Sequence, residues 1–228
     1  MGNHTLSLEN MRVKHLFDPG NTITWELLIE LEWPWEAIPL IKSFVETLIN
    51  GLDESEYEAR PDNVRVHKTA TIAASAHIGS NVIIGAGTDV RHCAYIRNDV
   101  IVGSGAVIGN STELKNVILF DKVQVPHYNY VGDSILGYKS HFGAGVITSN
   151  VKSDNSLVSV SCGNERIETG LKKFGVILGD HVEVGCNAVL NPGTVVGAKA
   201  NIYPLSMVRG FVPANSIYKK QGDIVAKS

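Results

Sequence analysis

From residue 66 onward an aliphatic side chain returns every six residues: Val66, Ile72, Ile78, Ile84, Val90, Ile96, Val102, Ile108 and Leu114. A helix repeats every 3.6 residues and a strand every two, so neither explains this spacing. A sustained six-residue period is the signature of a parallel β-helix, in which each hexapeptide forms one flat side of a triangular coil. The first residue of each hexad points inward and stacks on its counterpart one coil away. The next residue is often small, as in Ile78-Gly79, Ile84-Gly85, Val102-Gly103 and Ile108-Gly109. Glycine there admits backbone angles closed to other residues, so the chain can turn a tight corner.

The register slips by one near Leu119 and again between Val131 and Leu136, then continues through Phe142. It resumes with Leu178, Val184, Leu190, Val196, Ile202 and Val208. Residues 149–175 are polar and lack the six-step, so they read as a loop thrown out of the coil, with a hairpin through Leu157 to Val160. Upstream the period changes. Ile38, Ile41, Val45, Leu48 and Leu52 lie on one helical face, with Asn50-Gly51 as a stop and Pro39 tolerable only in the first turn. Thr24 reads as an N-cap of an earlier helical stretch, Asp18-Pro19-Gly20 as a turn, and residues 53–61 as a connector. The expected architecture is therefore all-β: a left-handed parallel β-helix over 61–217, a small helical appendage over 1–60, and a C-terminal tail over 218–228 that leaves the prism. Flat, half-apolar outer walls call for a partner, and closed cyclic symmetry is the simplest way to cover them, so a homotrimer is expected.

The formal charge of −3 implies no basic face for nucleic acid. Cys93, Cys162 and Cys186 are odd in number and lack metal-type spacing, as free thiols in a reducing cytoplasm would be. The sequence predicts no signal peptide and no membrane span.

Between Arg97 and Asn150 the chain carries an ordered set of polar residues: Arg97, Gly109-Asn110, Glu113, Lys115, His127, Tyr130, Gly132-Asp133, Gly143-Ala144-Gly145 and Asn150. In order and spacing this set resembles the C-terminal acetyltransferase domain of the bifunctional bacterial enzymes that make UDP-N-acetylglucosamine. It is similar also to the matching domain of archaeal sugar-1-phosphate nucleotidylyltransferase/acetyltransferases. The likeness covers roughly residues 60–212. It implies an acetyl-CoA-dependent N-acetyltransferase acting on an amino-sugar 1-phosphate, with glucosamine 1-phosphate as the leading acceptor.

The resemblance assigns His127 as the general base, a task that suits an imidazole. Arg97 and Lys115, 18 residues or one coil apart, resemble ligands of the sugar phosphate. Tyr130 and Asn150 resemble residues that hold sugar hydroxyls or phosphate, and Tyr128 is an alternative wall residue. Ala144 resembles a position whose backbone N–H faces the acetyl thioester. His141 stands where the bacterial enzymes usually have an Asn that touches substrate. Cys186 stands where a Ser lies near the acetyl-CoA arm, and Lys172 and Lys173 resemble a basic pair that follows the inserted loop in the archaeal group. No Gly-rich nucleotidyl-transfer loop occurs in residues 1–60.

Two other readings compete. One is a non-catalytic sugar-nucleotide-binding or scaffold protein that keeps the fold. The other is a metal enzyme resembling the γ-class carbonic anhydrases, drawing three of His67, His77, His92, His127, His141 and His181 to a zinc ion. The leading reading places no metal in the site.

Overall fold

The computed structural model describes residues 7–227. From Val64 the chain winds into a parallel β-helix with three walls. Wall 1 stacks Val64–His67, Val82–Ile84, Val100–Val102, Val117–Leu119, Ser134–Leu136, Val176–Leu178 and Thr194–Val196, all parallel. Wall 2 runs from Thr71–Ile72 through Gln124–His127 and His141–Phe142 to Asn201–Ile202. Wall 3 runs from His77–Ile78 through residues 113–114 and 130–131 to Ile147–Thr148, Val189–Leu190 and Met207–Val208.

The hexad residues fill the prism. Ile84, Val90, Ile96, Val102, Ile108 and Leu114 are all fully buried. The 18-residue coil shortens to 17 where Val100 pairs Val117 and again where Val117 pairs Ser134. Both short turns fall at one corner, at Lys115-Asn116 and at Gly132-Asp133. The first therefore lies a few residues before the expected Leu119, because the strand Glu113–Leu119 bends around the corner without a break.

That corner is a ladder of left-handed residues. Asn63, Asn81, Asp99, Asn116 and Asp133 all have φ between 48° and 60°. Asn and Asp tolerate this conformation because a short polar side chain can bond locally. Here the Asn63 amide donates to Asn81 Oδ1 (2.7 Å), Asn81 to Asp99 Oδ1 (2.7 Å), and Asn116 to Asp133 Oδ1 (2.9 Å).

Wall 1 has a feature the hexad alone does not disclose. Alternation turns Ile83, Ile101, Ile118, Ile135 and Ile177 outward, yet each is fully buried. The N-terminal appendage covers them. Its main helix, Ile41–Ile49, packs on the wall 1 strands, and a 3-10 segment, Pro34–Leu40, packs on residues 130–136. Pro39 lies in the 3-10 segment, so the α-helix starts later than the apolar spacing suggests. Trp35 and Ile41 are buried, and Trp35 meets Phe174 of the excursion at 5.9 Å between ring centroids. The excursion seals the upper part of the same wall through Val158, Val160 and Phe174.

Two expected non-regular segments are ordered strands. Tyr57–Arg60, within the expected connector, pairs antiparallel with Val64–His67. At the other end Ser216–Lys220 and Asp223–Ala226 form an antiparallel hairpin that continues wall 2. Tyr218 is 1% exposed and closes the last coil, so the tail stays on the prism instead of leaving it. Among the described residues no helix is long and apolar enough to cross a membrane.

The cover on wall 1 sets a clear expectation. Ile101→Ala removes a fully buried outward side chain and is expected to lower unfolding free energy by about 2–5 kcal/mol in urea titrations. Leu157→Ala, exposed on the excursion, is expected to change it by less than about 0.5 kcal/mol. Equal effects would contradict the cover.

Candidate functional site

Wall 3 is bounded by two corners with different chemistry. At the corner between walls 2 and 3 the register places His127 above Asn110. One coil further comes Ala144, and then Cys186, by extension of the wall 2 pairing. Gly109 underlies this corner: a Cβ there would sit on the Pro126 carbonyl, so only glycine lets the coils stack so closely. His127 is exposed, and its carbonyl accepts the Gly145 N–H (3.0 Å). The Ala144 carbonyl accepts from Asn187 (2.8 Å), while the Ala144 N–H donates to no acceptor among the described residues. An unengaged backbone donor one coil from an exposed imidazole can meet a developing oxyanion. The Cys186 thiol is free and exposed, and packs against Gly143.

The corner between walls 3 and 1 carries the cations. Arg97 and Lys115 fall in register across adjacent coils, but each is already held by a carboxylate. Arg97 pairs with Glu113 at 3.0 Å and Lys115 with Asp133 at 3.5 Å. Asp133 is the hub, its side chain 4% exposed. It accepts from Asn116 and Asn150, and Asn150 also donates to the Tyr130 hydroxyl (3.3 Å). Burial raises the Tyr130 phenol above its ordinary pKa, with the Asp133 and Glu113 charges adding to it, so it remains a neutral hydroxyl. Tyr130 lies on wall 3 itself. Tyr128, the alternative, sits at the His127 corner with φ 51° and is 62% exposed.

The excursion returns beside this cluster. The Phe174 N–H donates to the Asn150 carbonyl (3.0 Å), which sets the exposed pair Lys172 and Lys173 immediately before that contact. The structure therefore groups Arg97, Lys115, Asn150 and the Tyr130 hydroxyl at one edge of wall 3, with Lys173 next to the residue that bonds Asn150. It groups His127, Ala144 and Cys186 at the other edge. The three residues between, Tyr130–Gly132, span about 10 Å at ~3.3 Å each.

His141 joins neither group. It is on wall 2, and its Nδ1 meets Glu183 Oε2 at 2.8 Å. The histidines weighed for a zinc site are spread over walls and corners, and among the described residues no three His, Cys, Asp or Glu are placed to hold a metal ion. Sequence reasoning passed over Asp133 and Asn116 as functional residues. The Asn/Asp recurrence at one corner, 63, 81, 99, 116 and 133, is the signal that marks them.

Fold and corner chemistry define a hexapeptide-repeat β-helix with a polar face between two corners. The chain belongs to the family described as the GMPPB C-terminal domain, whose model matches residues 87–202. It is 31% identical over 192 residues to a bifunctional sugar-1-phosphate nucleotidylyltransferase/acetyltransferase of Sulfurisphaera tokodaii, a match covering 82% of this chain and 47% of that protein. The chain thus spans about half the length of that relative. It is 29% identical over 206 residues to the uncharacterized acetyltransferase YaiX of Escherichia coli, covering 82% of this chain and 87% of YaiX. The acetyltransferase domain of PglB from Neisseria gonorrhoeae, solved in complex with acetyl coenzyme A, aligns at 16% identity and a TM-score of 0.32, over 79% of this chain and 62% of that one.

The Asp133 hub can be tested by itself. Asp133→Ala takes the carboxylate partner from the Lys115 ammonium and one acceptor from each of two amides, and is expected to cost about 3 kcal/mol or more in chemical unfolding. Asp133→Asn, which suits the left-handed backbone and keeps one acceptor, is expected to cost less than half of that. A loss below about 1 kcal/mol for the Ala variant would remove the hub.

Proposed function

We propose that this chain transfers the acetyl group of acetyl-CoA to the amine of an amino-sugar 1-phosphate, with glucosamine 1-phosphate as the acceptor, as a step in nucleotide-sugar biosynthesis in the cytoplasm. The observation that carries this reading is the arrangement across wall 3: an exposed imidazole and an unengaged N–H at one corner, and a cation and amide cluster at the other. The names of the bifunctional relative and of YaiX support it.

In this mechanism the sugar phosphate lies against Arg97 and Lys115, which turn from Glu113 and Asp133 toward the phosphate oxygens. Tyr130 and Asn150 hold the sugar between the corners. The free amine attacks the thioester carbonyl, forming the C–N bond and driving the carbonyl electrons onto oxygen. The Ala144 N–H meets that oxyanion. His127 takes the proton from the attacking nitrogen. Collapse of the intermediate breaks the C–S bond, and the coenzyme A thiolate leaves and is protonated. Cys186 borders the cofactor arm, and Lys172 or Lys173 reaches a phosphate. Transfer is direct, with no acyl-cysteine.

Wall 3 also carries an exposed apolar column, Ile147 (42%), Val189 (38%) and Met207 (57%). We assign this column to the contact between prisms of a homotrimer, which would place the cofactor between two copies. A neighbouring wall 2 would then bring its own His141 toward the acceptor, a contact one chain does not supply.

The test is release of coenzyme A thiol with glucosamine 1-phosphate as acceptor. His127→Ala is expected to lower kcat by about 10²–10⁴-fold, and Lys115→Met to raise KM for the sugar phosphate with a smaller effect on kcat. Unchanged turnover in the His127 variant would remove the imidazole from the reaction. No acetylation of any amino-sugar 1-phosphate in a panel would favour the non-catalytic reading.

A further inference from the structure

Beneath the excursion hairpin lies a polar cavity of about 340 Å³, lined by none of the residues assigned to the proposed reaction. Its floor is the same edge that carries Arg97 and Lys115, several coils on, where the wall 3 register places Ser149, Asn191 and Arg209 one above another. Its roof is the hairpin Ser159–Cys162 with Glu165–Glu168. Lys152, Arg166 and Arg209 converge on it from three different segments, with the hydroxyl residues Ser149, Ser159 and Ser161 between them.

Charge and hydrogen-bond accounting sets this cavity apart. Asp154 is the one acidic residue in its lining; it meets Lys152 at 3.9 Å, and the Lys152 ammonium also donates to Ser156 Oγ and to the Leu157 carbonyl (3.4 Å). Arg166 pairs with Glu168 at 2.7 Å, an exposed contact at the rim. Arg209 has no carboxylate partner among the described residues, and the side-chain hydroxyls of Ser149, Ser159 and Ser161 have no hydrogen-bond partner there either. Arg97 and Lys115 are each held by a carboxylate, as Lys152 and Arg166 are, which leaves Arg209 as the one of these cations without such a partner among the described residues. An unpaired Arg209 beside three unpartnered hydroxyls, with two further cations at the cavity wall, fits a phosphate, which accepts on three oxygens and suits the planar fork of Arg.

The cavity is built into the fold. Val158, Val160 and Cys162 of the hairpin are buried. The hairpin rests directly on two corner glycines in the left-handed conformation. A Cβ on Gly193 would lie 2.7 Å from the Ser159 carbonyl oxygen, and one on Gly210 2.8 Å from that of Ser161. So close a seat fixes the height of the roof over Arg209.

We propose that this cavity is a second anion site that binds the phosphate monoester of a small molecule through Arg209, Arg166, Lys152 and the three serine hydroxyls. The proposal does not depend on the acceptor assigned above. Three sources present the same chemistry: inorganic phosphate, a sugar 1-phosphate, and the 3′-phosphate of coenzyme A.

Calorimetric titration of the full chain with inorganic phosphate, glucosamine 1-phosphate, coenzyme A and dephospho-coenzyme A tests it. At least one phosphate-bearing probe is expected to bind about ten-fold or more weakly to Arg209→Gln and to Arg166→Gln, while Lys122→Gln, on a different corner, binds as wild type. Both Arg side chains are exposed, and circular dichroism checks that each variant is folded. Discrimination between coenzyme A and its dephospho form that vanishes in Arg209→Gln identifies the 3′-phosphate as the occupant. Loss with inorganic phosphate or the sugar phosphate alone identifies a smaller one. Binding of every probe unchanged in both variants, or no binding of any probe to wild type at millimolar concentration, overturns the proposal.

Discussion

The constraint on which the structure depends is the outward apolar column of wall 1. A parallel β-helix fills its interior with hexad residues, but its walls are also sheet faces, and Ile83, Ile101, Ile118, Ile135 and Ile177 make one of them as apolar as the core. Exposed, that column would be a contiguous hydrophobic stripe of the sort that drives association. The chain covers it from both ends, with the helix Ile41–Ile49 below and the excursion above, and Trp35 and Phe174 meet where the two covers join. Because wall 1 is sealed within the chain, ligands and partners are left with walls 2 and 3.

Winding then does the positioning. Residues far apart in sequence become neighbours because the coils stack in register, most of them 17 or 18 residues long and one lengthened by the excursion, so His127, Ala144 and Cys186 share a corner, as do Arg97 and Lys115. The two 17-residue coils matter for the site. Each removes a residue from the corner at Lys115-Asn116 and Gly132-Asp133, where the left-handed Asn/Asp ladder brings Asp133 between Lys115 one coil before it and Asn150 one coil after. The same hub that closes the corner therefore orients the polar edge of wall 3.

Much of this was legible in the residues. The six-step from Val66 to Leu114 defines the prism, and its loss over 149–175 marks the excursion. The spacing of Ile38, Ile41 and Val45 marks the helical cover. What the period does not disclose is which wall is covered, since the hexad tracks inward residues only. That information was present in the wholly apolar triplets Val82-Ile83-Ile84, Val100-Ile101-Val102 and Val176-Ile177-Leu178. The tail was harder. Tyr218 follows a turn and precedes two lysines, so it resembles a departure from the fold, yet its ring is needed to close the last coil. Site residues were legible as a set but not as a geometry. The resemblance sets His141 at a substrate-touching position, whereas within one chain it lies on wall 2 in contact with Glu183. The cavity under the hairpin could not be read at all, because Lys152, Arg166 and Arg209 meet only through an excursion that has no period.

The account turns on wall 3 being the reaction face. Amide hydrogen exchange measured with and without acetyl-CoA tests this most directly. Protection of residues 143–148, 186–190 and 205–208, which form wall 3 and its His127 corner, is the predicted result. Protection confined to wall 2 around Gln124, Lys139 and Glu183, or no change anywhere on the prism, would contradict it.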